Sequence, residues 1–242
     1  ANRIRHENIK NSSCVHGIIE FSNYCQNDCS YCGIRNSNKN LERYRMDVNE
    51  IIKAAEYAVK KLGFKALVLQ SGEDGWYTID KMKEIITGIR GKCDVLIFIS
   101  IGSRSRLDLE KMYDAGARGI LFRFESSNPT IYKSIHHGPK SDMEERMRVL
   151  KEAREMGYII ATGFLVGLPG QKEEDLLDDI LLTNSMGAEM WSFGPFNPHP
   201  QTPLSDLAKC DLDSILKIIA VSRMVNPEAN ILVTTATETL DK

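Results

Sequence analysis

No apolar run in this sequence approaches the roughly 20 residues that a membrane-spanning helix needs; the longest, such as 95–101, fall far short. No signal-peptide pattern opens the chain, and no low-complexity tract or Pro/Ser-rich linker interrupts it. Neither sign of charge dominates: 31 Lys and Arg stand against 33 Asp and Glu, a formal net charge of −2. That removes the general electrostatic case for a nucleic acid or an anionic membrane as partner. The 242 residues, 42% hydrophobic, read as one domain over 1–242 that buries a core without disulfide help. The first residue is Ala rather than Met, which points to residues upstream. With no secretory signal, a cytoplasmic location is expected, where cysteines serve metal or redox chemistry more often than disulfides.

What is present is a regular alternation. Strand-like apolar runs at 17–21, 66–70, 95–100, 119–124, 159–164, 190–193 and 231–235 alternate with helix-like segments near 47–62, 78–90, 105–115, 141–156, 172–186 and 211–224. The runs are short and almost continuously apolar, as in strands buried on both faces. Several helical segments stop at glycine, at Gly63, Gly116 and Gly157. The alternation predicts an α/β fold with a parallel sheet inside and helices outside, a (βα) TIM-type barrel. Seven strands do not close an eight-stranded barrel. Either the barrel is partial or its last βα unit lies beyond Lys242, and the stop soon after the seventh strand favours the second. In such barrels chemistry gathers at the C-terminal ends of the strands. Polar motifs stand there, at 22–25, 70–73, 100, 123–125, 167–170 and 234–235.

Of six cysteines, Cys14, Cys93 and Cys210 stand alone and read as structural, while Cys25, Cys29 and Cys32 follow the first strand as C-x3-C-x2-C. Thiolates are the ligands of iron–sulfur clusters. A [4Fe–4S] cube ligated by three thiolates keeps one iron open, as a catalytic zinc keeps an open position. S-adenosylmethionine (SAM) fills such a position through its amino and carboxylate groups. The alternatives are a zinc site and unconnected buried cysteines. A structural zinc wants four protein ligands; no second cysteine pair is near, and His16 precedes the strand by most of its length.

The stretch 17–35, Gly-Ile-Ile-Glu-Phe-Ser-Asn-Tyr-Cys-Gln-Asn-Asp-Cys-Ser-Tyr-Cys-Gly-Ile-Arg, resembles the radical SAM superfamily, in the branch that contains biotin synthase, methylornithine synthase and the [FeFe]-hydrogenase maturase HydE. Leu-Gln-Ser-Gly-Glu-Asp at 69–74, Val-Gly-Leu-Pro-Gly-Gln at 166–171, the proline-rich 194–204 and Thr234-Thr235-Ala236 resemble the maturase most. The resemblance covers nearly the whole chain. It implies an enzyme in which a [4Fe–4S] cluster on Cys25, Cys29 and Cys32 cleaves SAM to a 5′-deoxyadenosyl radical that attacks a small polar substrate, amino-acid or thiol-derived. It also implies a reducing electron donor. An amino-acid mutase of the methylornithine synthase type is the alternative within the class; a non-enzymatic zinc or iron–sulfur binding module is the alternative outside it.

The resemblance further implies that Tyr31 lies against adenine, that Ser71, Gly72 and Glu73 meet the SAM ammonium, and that Glu125 meets the ribose. Arg123 would stand between cofactor and substrate, Arg146 would bind the SAM carboxylate, and the backbone at Gly167 and Leu168 would face adenine. Each has a plainer reading: a packed aromatic, an ordinary turn, an Arg123–Glu125 ion pair, a solvated helix arginine. Gln70, Ser100, Thr234 and Thr235 would face the interior beyond SAM, as neutral groups suited to a small polar substrate. Arg43 covers the cysteine loop or lies at the surface, His136-His137 reads as a polar loop, and His199 between two prolines has no assigned role. Phe98, Ser103 and Phe124 depart from the maturase pattern and are expected on the substrate side. No cysteines for a second cluster follow the barrel in this chain.

Overall fold

The runs of Ile, Leu, Val and Phe become strands because each has two apolar faces to cover. In a computed structural model of the chain, which describes residues 1–10, 15–238 and 240, the order begins α1 (Asn2–Ile9), β1 (His16–Ser22), α2 (Val48–Lys60), β2 (Ala66–Ser71), α3 (Ile79–Arg90), β3 (Leu96–Ser100), α4 (Arg106–Ala115) and β4 (Gly119–Leu121). It continues with α5 (Pro129–Ile135), α6 (Met143–Glu155), β5 (Ile159–Thr162), β6 (Leu165–Val166), α7 (Glu173–Ser185), β7 (Met190–Ser192), β8 (Gly194–Pro195), α8 (Leu212–Val225), β9 (Asn230–Leu232) and α9 (Thr235–Glu238). Seven strands form one sheet in the order β1-β2-β3-β4-β5-β7-β9, and every neighbouring pair is parallel. The sheet ends at β1 and β9, which do not pair, so the fold is a partial barrel. The short β6 and β8 pair with each other just past β5 and β7. Among the described residues no helix is long and apolar enough to cross a membrane.

Strand alternation sorts the side chains. Leu67, Leu69, Ile97, Ile99, Ile120, Ile160 and Trp191 face the helices in the main core. Val68, Phe98, Ala161 and Met190, on the opposite face, form a separate apolar cluster that fills the concave side. The helices are launched by short polar caps. Asp47 and Glu50 make a reciprocal capping box for α2, and Ser105, Asp142 and Asp211 cap α4, α6 and α8.

Several boundaries differ from the sequence expectation. The run 159–164 splits at Gly163, where a Cβ would stand 2.1 Å from the Ser192 carbonyl oxygen, so the chain steps from β5 to β6. The run 231–235 is strand only to Leu232; Thr235 already opens α9. Besides α9, two helices were not anticipated. The first, α1, is polar with no buried residue and carries no apolar periodicity; α5 starts from an Asn128 cap and Pro129 at its first turn. Phe124 is fully buried in the main core beside Phe164, not on the substrate side. Phe98 does face the concave side, at its floor. Cys14 lies outside the described residues; Cys93 and Cys210 are buried free thiols.

Candidate functional site

The three-cysteine loop leaves β1 at Ser22 and is stitched to its neighbours through main chain. Gln26 N donates to Glu73 O at 3.1 Å, Asp28 N to His137 O at 2.7 Å and Ser30 N to Ile135 O at 2.8 Å. Asn27 exchanges hydrogen bonds with Lys140, accepting from its amide at 3.0 Å and donating to its carbonyl at 3.2 Å. Arg43 is no surface residue: its guanidinium donates to the carbonyls of Asn23, Ile34 (2.9 Å), Arg35 (2.7 Å) and Asn38 (3.3 Å), the planar fork drawing the loop around itself.

Cys25, Cys29 and Cys32 are half-buried, and Cys29 and Cys32 each feel the charge of another cysteine. Burial, with that mutual repulsion, pushes the Cys29 thiol up to about 12 and the Cys32 thiol up to about 11; burial also raises Cys25. As free thiols they keep their protons at neutral pH, and a bound metal's positive charge reverses that preference. Among the described residues no three His, Cys, Asp or Glu are grouped to hold a single metal ion. One zinc draws every thiolate to about 2.3 Å of a point, whereas a cubane takes one thiolate at each of several corners. The donor set suits the cube. His16 lies edge-on to Phe98 at the floor, away from a fourth-ligand position.

The segment after β2 closes one side of the loop. Gly72 is required there, since a Cβ would stand 2.3 Å from Tyr24 O and 2.7 Å from Cys25 Cβ. Glu73 N lies 3.4 Å from Cys25 Sγ. Its buried carboxylate accepts from Ser103 N at 3.2 Å through Oε1, while Oε2 has no partner. Burial raises its pKa. Ser71 Oγ turns onto Gly72 O at 2.7 Å. Ser103 is buried with an unpartnered hydroxyl, beside Glu73.

A second carboxylate faces the loop from β4's end. Glu125 has φ 67, a left-handed conformation that costs a residue with a Cβ roughly 1–3 kcal/mol and is found where function demands it. Its Oε1 accepts from Arg123 Nε at 3.1 Å, so the plain ion-pair reading holds for half of it; Oε2 is buried and unpartnered. Arg146 is buried, not solvated: Nε donates to the Tyr132 hydroxyl at 3.1 Å, Nη1 to Arg123 O at 2.7 Å, and the guanidinium stacks 4.3 Å from the Phe122 ring. Tyr31 packs with Leu168, Phe196 and Leu204 in a satellite apolar cluster.

The sequence reading gave no site role to three participants, and it took His136 for part of a polar loop. His136 is buried, stacked on Tyr132 at 4.0 Å, with Nε2 3.4 Å from the Tyr31 hydroxyl. Burial, with Arg146 nearby, lowers its pKa to about 3, so it is neutral. Gln171 Oε1 accepts from Gly167 N at 2.8 Å and Leu168 N at 3.1 Å, and its Nε2 donates to Leu165 O at 3.0 Å. The amides of Gly167 and Leu168 are thus already used; this turn offers a ligand its apolar Leu168 face. Buried Asp179 backs Gln171 at 3.4 Å and accepts from Ser127 N at 2.6 Å.

Of the expected substrate groups, Gln70 and Ser100 sit side by side in register on β2 and β3, with Gln70 Nε2 donating to Glu20 at 3.1 Å. Thr234 lies across the mouth against Gly194. The Thr235 side chain lies outside the described part of the structure.

Residues 19–183 match the radical SAM superfamily, and 192–242 match the biotin and thiamin synthesis associated domain. The chain is 41% identical over 240 residues to the [FeFe] hydrogenase maturase subunit HydE of Thermotoga maritima, covering 99% of this chain and 68% of that one. It is 28% identical to 3-methylornithine synthase of Methanosarcina acetivorans, covering 94% of this chain and 64% of that one. A crystal structure of methylornithine synthase superposes with a TM-score of 0.88 at 26% identity, covering 95% of this chain and 67% of that one. The chain thus spans about two thirds of the length of these relatives.

Proposed function

The chain belongs to the radical SAM superfamily, and on that premise we propose that its three-cysteine loop and the carboxylates around it form the site of a HydE-like enzyme acting on a small, polar, amino-acid or thiol-derived substrate. The superfamily's cofactors are a [4Fe–4S] cluster and SAM. Cys25, Cys29 and Cys32 would hold the cluster. When bound, it supplies an electron that breaks the sulfur–C5′ bond of SAM and leaves a 5′-deoxyadenosyl radical.

The observation that carries the reading is the pair of buried, unpartnered carboxylate oxygens, Glu73 Oε2 and Glu125 Oε2. Left unfilled, each is a costly vacancy in hydrogen bonding. An ammonium suits the first and a ribose hydroxyl the second. Arg146, locked by Tyr132 and the Arg123 carbonyl, presents a preset guanidinium to a carboxylate. The apolar cluster of Tyr31 and Leu168 suits an adenine face. Neutral Gln70, Ser100 and Thr234 hydrogen-bond a substrate without drawing protons from it.

The test is anaerobic reconstitution with iron and sulfide, followed by assay of 5′-deoxyadenosine with SAM, a strong reductant and candidate amino acids and thiols. We expect about four iron per chain, 5′-deoxyadenosine that rises with the right substrate, and loss of both with Cys32→Ser. A loaded protein that forms none under any condition, or a chain holding one zinc and no iron, overturns the reading. The 41% identity to the maturase subunit favours a hydrogenase-maturation role over the amino-acid rearrangement suggested by the methylornithine synthase relatives.

A further inference from the structure

Of residues 196–204, the proline-rich segment past β8, only Phe196 and Leu204 have entered the site so far. The segment crosses the mouth of the half-barrel and meets the three-cysteine loop at three places. Phe196 and Leu204 share the apolar cluster with Tyr31. The His199 ring lies on Gly33, the residue after Cys32: a Cβ on Gly33 would stand 2.7 Å from Nε2, 2.8 Å from Cδ2 and 3.0 Å from Cε1. Gln201 Oε1 accepts from Asn38 Nδ2 at 2.8 Å, and the same amide group donates to Gly33 O at 2.7 Å.

The segment is braced for this contact. Thr202 donates to His199 O through its amide at 3.1 Å and its hydroxyl at 2.8 Å. Gln201 N donates to His199 Nδ1 at 3.1 Å, so the neutral ring carries its hydrogen on Nε2, the atom facing Gly33. Pro198 and Pro200 restrict the backbone on either side. The imidazole therefore occupies, from across the barrel, the volume that a side chain at 33 would fill. His199 is an exposed residue, and its ring covers Gly33, the residue next to Cys32.

We propose that His199 is a positioning residue that keeps the Cys32 end of the cluster loop closed, and that Gly33 makes room for its ring. This rests on the reading that the cluster is held by the three cysteines. Solvent exposure and hydrogen bonding around the sulfurs govern how such clusters behave, and a loop that opens more often loses its metal faster.

The test uses the cluster-loaded chain, with iron release to EDTA under anaerobic conditions as the readout and thermal melting of the metal-free protein as the control. His199→Ala and Gly33→Ala should each speed release about tenfold. His199→Ala should leave the metal-free melting unchanged, because it trims an exposed side chain. The double variant should release iron no faster than either single one, since both remove one contact. Release within about twofold of wild type for His199→Ala, or additive effects in the double variant, overturns the proposal. A wild-type chain that loads no iron overturns the cluster reading instead, so the two failures are distinct.

Discussion

Val68, Phe98, Ala161 and Met190 fill the floor of the half-barrel with carbon alone. Toward the mouth, just past β2, β3 and β4 and on α6, Glu73, Ser103, Glu125 and Arg146 are also buried, and three of them keep a polar atom without a partner. The floor is satisfied within the chain; the mouth is not. One sheet thus carries an end that stabilises the fold and an end that awaits a ligand. Substitutions at the two ends should fail in different ways.

The largest effect is expected at the floor. Phe98 is 1% exposed, and Phe98→Ala should cost about 3–5 kcal/mol, read as a lower melting temperature. Below that temperature iron loading and SAM affinity should hold. If they collapse while the chain is still folded, the two ends are not separable.

Asp179 lies beneath the mouth, and burial lifts its carboxyl to about 6. A carboxyl raised in the folded state stabilises the fold below its unfolded value near 4, and that contribution is lost as pH rises through about 6. Asp179→Asn should therefore gain on wild type by up to about 3 kcal/mol between pH 4 and 7. Urea melts at the two pH values check this; a difference that stays flat places the proton elsewhere.

At the mouth itself, Glu73→Gln should weaken SAM binding about 10- to 100-fold, measured by calorimetry on the loaded protein. Its melting temperature should not fall, because a buried unpartnered oxygen is replaced by a neutral group. A variant that loses stability and keeps affinity would make Glu73 a structural residue. The smallest effect belongs to Tyr31→Phe, which removes one hydrogen bond at 3.4 Å to His136. It should cost about 0.5–1.5 kcal/mol of SAM binding, and no detectable change would leave the ring alone as what matters at 31.

The C-x3-C-x2-C loop and the alternation of strands and helices were legible because both are local: the cysteine spacing and the unbroken apolar runs lie within a few residues. The Arg123–Glu125 ion pair was among the sequence readings, but the left-handed backbone at Glu125, past the end of β4, was not. Arg146 was placed on its helix, but which face of α6 is buried depends on Phe122 and Tyr132. His136, Gln171 and Asp179 could not be found by pattern. Each acts through partners on other segments: Tyr31 for His136, Ser127 for Asp179, the amides of a glycine turn for Gln171. The Asn128-Pro129 start of α5 was a readable signal, an N-cap followed by proline at the first turn.

The stitching of the cysteine loop has a consequence in time. Its partners lie far downstream: Tyr31 to His136 spans 105 residues, Asn27 to Lys140 spans 113, and Asn38 to Gln201 spans 163. A ribosome adding about 5–20 residues per second exposes the three thiols early and completes their enclosure roughly 10–30 s later. The three thiols are thus made before the segments that shut them in, which leaves an interval in which metal can be delivered to an open loop.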